Sequence, residues 1–153
     1  MEKVTLKLFE FYNLEAELNG IVNQQTGEPV SKGLLNERIK LTTKYWLTEL
    51  SKKVIEEKTS VEKVKEEMIK KYGDIDETGS VSIPMYLDVQ KDETGKIIAG
   101  KINPKYTEFQ EEFNKLLQEE KELEYKPLLL SDFETVESDA NYSTFFKLVT
   151  VNN

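Results

Sequence analysis

The sequence of 153 residues contains no cysteine and no histidine. Without cysteine the chain cannot form a disulfide, use a thiol nucleophile or build the common cysteine-rich zinc site. Without histidine it lacks the imidazole of Ser-His-Asp triads and the commonest nitrogen ligand for metals. Catalysis would have to depend on carboxylates, lysines, tyrosines or a hard metal ion. We therefore expect no enzymatic activity, no cofactor and no metal site.

Arginine and long apolar runs are also scarce. Arg38 is the one arginine among 21 basic residues, and arginine is the preferred residue for two-point contacts with phosphates and base edges. Together with a net charge of −8, this predicts no direct reading of nucleic acid. No apolar run reaches about 18 residues, which predicts no membrane insertion. No signal-peptide pattern follows Met1, so we expect the protein to stay in the cytoplasm or in a particle that is assembled there.

The charges are unevenly placed along the chain. Residues 33–72 carry ten basic and seven acidic groups, a sum of +3, whereas residues 73–153 carry eight and 17, a sum of −9. This division favours head-to-tail electrostatic contact between copies, with a simply solvated surface as the alternative. The length and a hydrophobic fraction of 38% predict a single globular domain over residues 1–153.

Two helices are predicted in the first half of the chain. Residues 6–18 follow helical spacing and end at Asn19-Gly20, although residues 4–8 also alternate as in a short strand. A long helix is predicted from Ser31 to Tyr72, because apolar or tolerated side chains recur every three or four residues without losing phase. The alternative is a new helix starting at Thr59-Ser60-Val61-Glu62, which has the pattern of a capping box.

Two further helices are predicted in the second half. Asn is a preferred N-cap and Pro suits the first helical position, so Asn103-Pro104 predicts a helix start. Its apolar stripe continues to Leu123, and Lys126-Pro127 would break it. A last short helix is predicted around residues 142–149, with an N-cap at Ser138 or Asp139.

Strand-like alternation appears between these helices. Apolar and polar residues alternate over 81–89, and the strand-like run 96–99 follows the turn at 92–95, which predicts a β-hairpin with Pro84 on an edge strand. Residues 128–130 are predicted to form a short buried strand. The elements together predict an α+β fold, with a long central helix, two or three further helices and a small antiparallel β-hairpin or sheet.

Two loops partly match ligand-binding motifs. The segment from Asp74 begins like a calcium loop, but position 12 is Met85 instead of a glutamate. The segment from Gly95 has phosphate-loop spacing, but Ile102 stands where Ser or Thr is required. The tetrapeptide Asp-Glu-Thr-Gly occurs at 76–79 and again at 92–95, so we interpret both acidic segments as turns.

Several residues are candidates for contact between subunits. Leu34, Leu41 and Tyr45 lie about 100° around the long helix from its main stripe, so they are either core or interface. Phe145 and Phe146 would point about 100° apart, leaving one of them available for contact, and the glutamates after residue 118 would form a solvated acidic edge or receive a basic partner. The candidate interface consists of Leu34, Arg38, Leu41, Tyr45, Glu119, Glu120 and Phe146.

Four segments carry a resemblance to known proteins: Leu18-Asn19-Gly20, Gly33-Leu-Leu-Asn-Glu-Arg38, Lys71-Tyr-Gly-Asp and the helical run starting at Phe109. The chain resembles a family of small tailed-bacteriophage proteins of unassigned function, which includes products of structural-gene regions of crAss-like phages. The resemblance implies a virion component. The long helix with two apolar faces, the division of charge and the lack of a catalytic constellation lead us to expect a non-enzymatic structural subunit, an adaptor or ring-forming protein near the portal, neck or tail. Its partners would be other virion proteins and copies of itself, in the virion and in the host cytoplasm during assembly. The alternative is an intracellular phage regulator that binds a host protein through its acidic surface.

Overall fold

The computed structural model describes residues 1–137 and 140–151, and the predicted cap at Ser138 or Asp139 lies outside them. The α+β fold with a long central helix is confirmed. The described elements, in chain order, are β1 (Glu2–Lys7), α1 (Leu8–Asn19), β2 (Ile21–Val22), β3 (Pro29–Ser31), α2 (Leu41–Tyr72), β4 (Asp74–Ile75), β5 (Val81–Ser82), β6 (Tyr86–Lys91), β7 (Ile97–Ile102), α3 (Pro104–Leu117), β8 (Glu120–Tyr125), β9 (Leu128–Leu129), α4 (Ser143–Phe146) and β10 (Val149–Thr150).

The chain divides into two compact units. Unit 1 contains Met1–Thr59 and the chain from Glu119 onward, and unit 2 contains Ser60–Gln118. The first part of α2 gives Leu47 and Val54 to the core of unit 1, whereas its last part gives Val61 and Met68 to the core of unit 2.

The N-terminal segment forms a strand before it becomes helical. The predicted helix 6–18 is correct over most of α1, but Leu6 and Lys7 belong to β1. β1 pairs antiparallel with β8, which places Val4 opposite Leu123 and Lys7 opposite Glu120. The helix begins directly after this pairing, where the Lys7 N–H donates to the Glu10 side chain. The sequence analysis gave this segment to the helix because the strand depends on a partner that lies more than a hundred residues away.

Two glycines bring the end of α1 against the segment before α2. Gly20 and Gly33 both have left-handed backbones, with φ of 93° and 82°. A Cβ built on Gly33 would lie 2.4 Å from the Gly20 nitrogen and 2.5 Å from the Asn19 carbonyl carbon. Only glycine fits this contact, because any side chain would collide with main-chain atoms and would also be strained at this φ.

The long helix is continuous but starts later than predicted. α2 runs from Leu41 to Tyr72 through Thr59 and Ser60, so the prediction of one uninterrupted helix across residues 56–60 is confirmed. The predicted start at Ser31 is wrong, because Ser31 pairs in β3 with Ile21 of β2, and Leu34–Asn36 form a separate 3₁₀ turn. The helix ends where the Gly73 N–H donates to the Ile69 carbonyl, at 2.7 Å.

Unit 2 contains two small hairpins instead of one. The predicted strand 81–89 is interrupted near Pro84, so β5 pairs with β4, and β6 pairs antiparallel with β7. The predicted cap of α3 is confirmed, since the Asn103 side chain accepts from the Lys105 N–H at 3.1 Å. Asn103 also donates to the Pro84 carbonyl at 2.8 Å, which ties the helix start to the segment before β6.

The segment after α3 departs from the prediction. The helix ends at Leu117, and Glu120–Tyr125 form strand β8. Leu123 and Tyr125 point into the core of unit 1, which explains why alternation overrides helical spacing here. The short strand predicted at 128–130 is present over Leu128–Leu129 as β9, whereas Leu130 begins a 3₁₀ turn. Leu129 and Leu130 are exposed, so the predicted burial is wrong for those two residues.

Candidate interaction site

The predicted interface residues lie in different environments. Leu34 is only 2% exposed and belongs to the core of unit 1, so it is no surface residue of this chain. Leu41 and Tyr45 are exposed on the first turns of α2, at 82% and 57%, and Arg38 precedes them on the surface. Phe146 is exposed, whereas its neighbour Phe145 is buried. The structure therefore joins Leu41 with Tyr45 and removes Leu34 from the candidate surface.

We define the Tyr45 surface as Leu41, Tyr45 and Trp46. The Tyr45 ring meets the Trp46 ring edge-on, with 5.0 Å between centroids, and the Lys126 Nζ lies 5.7 Å from the Trp46 ring centroid. Trp46 is half-buried. Aromatic groups with this partial exposure are common in protein interfaces. The Tyr45 surface is thus the contact candidate of unit 1.

Glu119 directly precedes β8 and Glu120 is the first residue of that strand. Their predicted place at an acidic helix end is therefore wrong. The Glu119 carbonyl accepts from the Leu8 N–H, and Glu120 pairs with Lys7 across the strands. The next glutamate on this face, Glu122, lies 3.1 Å from the Lys3 Nζ. Lys3 thus neutralises one member of the acidic row within the chain, which leaves less charge for a basic partner.

Two buried or half-buried glutamates serve structural roles in unit 1. Glu37 is 4% exposed and accepts from the Tyr142 hydroxyl at 2.9 Å. Glu17 accepts from the backbone N–H groups of Thr144 and Phe145 at the start of α4. Glu17 also lines an open cleft of about 660 Å³. Its Oε1 accepts both hydrogen bonds, so this side chain ties α1 to the start of α4 at the edge of the cleft.

The two Asp-Glu-Thr-Gly segments form matching turns, which confirms the turn interpretation. Asp76 Oδ1 accepts from the Thr78 hydroxyl and the Thr78 and Ser80 N–H groups. Asp92 makes the same contacts with Thr94 and Lys96. These hydrogen bonds, first of all the one from the threonine hydroxyl, lower the pKa of both aspartates. Each carboxylate thus closes its own turn.

One further carboxylate is held by its neighbours in unit 2. The Tyr72 hydroxyl donates a 2.6 Å hydrogen bond to Glu112, and Lys71 lies 3.4 Å from the same oxygen. The hydrogen bond lowers the pKa of Glu112 and raises the pKa of Tyr72. Both shifts move these groups further from neutral pH, so the pair is poorly suited to proton transfer. Within residues 1–137 and 140–151, no cluster of three or more acidic side chains is arranged to hold a metal ion.

The β6–β7 ribbon (residues 86–102) is an exposed apolar element of unit 2, and it was not among the contact candidates predicted from the sequence. Every residue of both strands is exposed. Its apolar side chains expose 40% to 68% of their area and are Tyr86, Leu87, Val89, Ile97, Ile98 and Ile102. Tyr86 is paired directly with Ile102, so the two share one face of the ribbon. Apolar residues at successive positions, such as Ile97-Ile98, were the available signal, because they put apolar groups on both faces.

No protein-family model, curated protein or solved structure matches the chain. Among the described residues, no helix combines the length and the apolar character needed to cross a membrane.

Proposed function

We propose that this protein is a non-enzymatic structural subunit of a tailed-bacteriophage particle, and that it works as an adaptor or ring-forming protein near the portal, neck or tail. The observation that supports this most is the presence of an exposed apolar surface on each unit. Unit 1 presents the Tyr45 surface, and unit 2 presents the β6–β7 ribbon. An adaptor needs at least two contact surfaces, and apolar patches of this kind are typical of sites of association.

The proposal is tested by quantitative mass spectrometry of purified particles of the phage that encodes the chain. We expect a constant copy number per particle, and a low multiple of the rotational symmetry would indicate a ring on the particle axis. Detection only in the infected-cell lysate, and never in purified particles, would contradict the proposal. That result, together with salt-sensitive binding of one host protein, would support the regulator alternative.

A variant phage tests whether the Tyr45 surface takes part in assembly. Leu41→Glu with Tyr45→Glu places charge on the candidate contact and should reduce incorporation into particles. Ile55→Glu is the matched control, because Ile55 is also exposed on α2 in unit 1. Equal incorporation of both variants would remove the Tyr45 surface from the proposal.

A further inference from the structure

We propose that copies of this chain join edge to edge through the β1–β8 sheet, with β1 of one copy pairing with β8 of the next. The proposal deepens the proposed function, because repetition of this contact would build a ring. Its test uses the isolated chain, so it can fail while the protein is still found in particles, and it can succeed when the protein is absent from them.

The β1–β8 sheet has two edges that no further strand occupies. Within the described residues, β1 and β8 pair only with each other, over six residues of each strand. The register is constant over all of these pairs, and neither strand contains a proline. Bulges and prolines are common devices that prevent an edge strand from pairing, and this sheet lacks both. Each edge is therefore able to take one more strand.

The main-chain groups that point out of the sheet edges can be identified from the hydrogen bonds. The Leu8 N–H donates to the Glu119 carbonyl at 2.9 Å, and this pair extends the register of the two strands. Antiparallel strands alternate between pairs that exchange hydrogen bonds and pairs whose N–H and C=O groups point away from each other. The residues with outward main-chain groups are Lys3, Thr5 and Lys7 in β1 and Glu120, Glu122 and Glu124 in β8.

One end of each edge is already held by a side chain, whereas the centre is not. The Lys7 N–H donates to a carboxylate of α1 at 3.1 Å, and the Lys53 ammonium donates to the Glu124 carbonyl at 2.8 Å. Both contacts agree with the outward direction of these groups. In the part of the chain that the structure describes, no hydrogen bond involves the outward main-chain groups of Thr5 and Glu122. These two residues are the centre of a possible new ladder.

The two strands carry opposite charges on the face of the sheet that points away from the core. β1 presents Lys3 and Lys7 there, whereas β8 presents Glu120, Glu122 and Glu124. Within the described residues, Glu122 is the member of this glutamate row that forms an ion pair, with Lys3 at 3.1 Å. The outer side of β8 therefore keeps negative charge that a neighbouring row of lysines would balance.

This charge pattern selects a second copy as the occupant. Like charges directly opposite each other on neighbouring strands are destabilising, so the lysines disfavour a second β1 and the glutamates disfavour a second β8. Lysines at an edge ordinarily prevent pairing, but they stabilise pairing with a strand that has acidic residues at alternate positions. A second copy supplies the acidic strand for β1 and the basic strand for β8. A partner with only one such strand would leave the other edge unpaired.

The strand directions are consistent with a ring. β1 and β8 are antiparallel within the chain. A small rotation that carries one copy into the next preserves the direction of each strand, so β8 of the next copy runs antiparallel to β1 of the first. With Thr5 opposite Glu122 of the next copy, both lysines of β1 lie opposite glutamates. The same operation can be repeated, and such heterologous contacts form a closed ring when the rotation closes.

A single edge contact is small, because it depends on six residues of each strand and mainly on main-chain hydrogen bonds. A ring gives each copy two such contacts, and its closure makes the last contact intramolecular. We therefore expect weak association of the isolated chain and stable association in the closed assembly. The experiments below detect the strand pairing itself and do not require a stable dimer.

Cross-linking between two single-cysteine variants tests which edges meet, because the natural chain has no cysteine. Thr5→Cys and Glu122→Cys each place one thiol at the centre of one edge. Under mild oxidation, the mixed disulfide should form with a rate constant at least about tenfold above that of either variant alone, because two opposite-charge pairs replace two like-charge pairs. Ile75→Cys, at a 74% exposed position in unit 2, gives the collisional baseline with each variant. A mixed rate constant at this baseline, or a faster reaction of one variant with itself, would overturn the proposal.

Amide NMR of the full chain tests the main-chain pairing. As the concentration rises from about 50 μM to about 1 mM, the Thr5 and Glu122 amides should shift and exchange more slowly with solvent. The Val4 amide already faces β8 and should stay constant. No change at Thr5 and Glu122 over this range, or a change on one edge only, would contradict the proposed contact.

A proline variant removes the outward N–H at the centre of β1. Thr5→Pro should abolish the concentration dependence at Glu122, whereas Thr5→Val is the matched control that keeps the N–H and should preserve it. A circular dichroism spectrum unchanged from the wild type shows that the proline variant is folded. The wild-type titration and the cross-linking do not depend on this variant. An unchanged response of Glu122 in folded Thr5→Pro would refute pairing between β1 and β8 of different copies.

Discussion

At the scale of single residues, Asp76 and Asp92 show how one side chain can close a turn. Each accepts from a threonine hydroxyl and two backbone N–H groups, and these bonds favour the ionised carboxyl. A lowered folded-state pKa means that the stabilisation is present above the unfolded pKa and is lost as the pH falls through the folded one. The two turns should therefore stay closed at neutral pH and loosen only in acid.

An NMR titration of the Thr94 and Lys96 amides measures this effect at Asp92. We expect a midpoint below 3.8, the ordinary value for aspartate. Thr94→Ala removes the largest contribution and should raise the midpoint, while the amides of Thr78 and Ser80 in the other turn keep theirs. A wild-type midpoint at or above 3.8 would disagree with the structure.

Tyr142 makes a different kind of single-residue contribution, because its hydroxyl is buried against a carboxylate. Tyr142→Phe removes the 2.9 Å hydrogen bond to Glu37 and leaves the acidic group less well satisfied. We expect the free energy of unfolding to fall by roughly 1.5–3 kcal/mol, as for other hydrogen bonds to charged groups. Trp46 is the single tryptophan and lies in unit 1, so its fluorescence during urea unfolding reports this loss.

The exposed Tyr45 provides the control for Tyr142. Tyr45→Phe keeps the ring that meets Trp46 and removes a hydroxyl from a 57% exposed residue. Its effect should stay within about 0.5 kcal/mol. A similar loss in both variants would show that the buried Glu37 contact is not a specific source of stability.

At the scale of elements, the contact between Gly20 and Gly33 fixes how the chain leaves α1. Gly33→Ala forces a side chain into main-chain atoms at 2.4–2.7 Å, so we expect a loss of about 3 kcal/mol or more, or failure of unit 1 to fold. Gly27→Ala is matched in its left-handed backbone but has no atom within 4 Å of the added Cβ, and should cost about 1 kcal/mol. Urea unfolding followed by Trp46 fluorescence compares the two. Equal losses would mean that backbone strain, and not the close contact, sets the cost.

The elements also show which parts of the fold the sequence predicts. Helix α2 from Leu41 onward and the cap at Asn103 were predicted because their signals are local: a repeating stripe and a side chain next to its own helix. β8 was missed although Leu123 and Tyr125 alternate with glutamates, because the same leucine also extends the stripe of α3. Only pairing with β1 decides between the two patterns, and that pairing is distant in sequence.

The candidate surfaces were also predictable only in part, because burial depends on structure that local sequence patterns do not show. Leu41 and Tyr45 were identified from their place around the helix, and they are exposed. Leu34 was assigned to the same surface because the helix was expected to begin before it. Leu34 instead lies in the 3₁₀ turn Leu34–Asn36, where its side chain is buried. No periodic pattern in the sequence predicts that turn.

At the scale of the whole molecule, the net charge of −8 separates two modes of association. Salt screens repulsion between chains of like charge, so contact between copies through exposed apolar residues should become stronger as salt rises from about 10 mM to about 300 mM. Head-to-tail contact between the basic residues 33–72 and the acidic residues 73–153 should become weaker over the same range. Sedimentation equilibrium at several salt concentrations measures the direction. Weakening by salt would favour the head-to-tail mode over contact through apolar residues.

The pairing of β1 with β8 also affects how the protein is made. Lys7 pairs with Glu120, so about 113 further residues must be synthesised before β1 can meet its partner strand. At 5–20 residues per second, this wait is on the order of 10 s. Unit 2, which is continuous in the chain, is complete in sequence before unit 1. During synthesis, Leu6 therefore lacks its final neighbours on β8. Chaperones can bind the N-terminal end of the nascent chain during this interval.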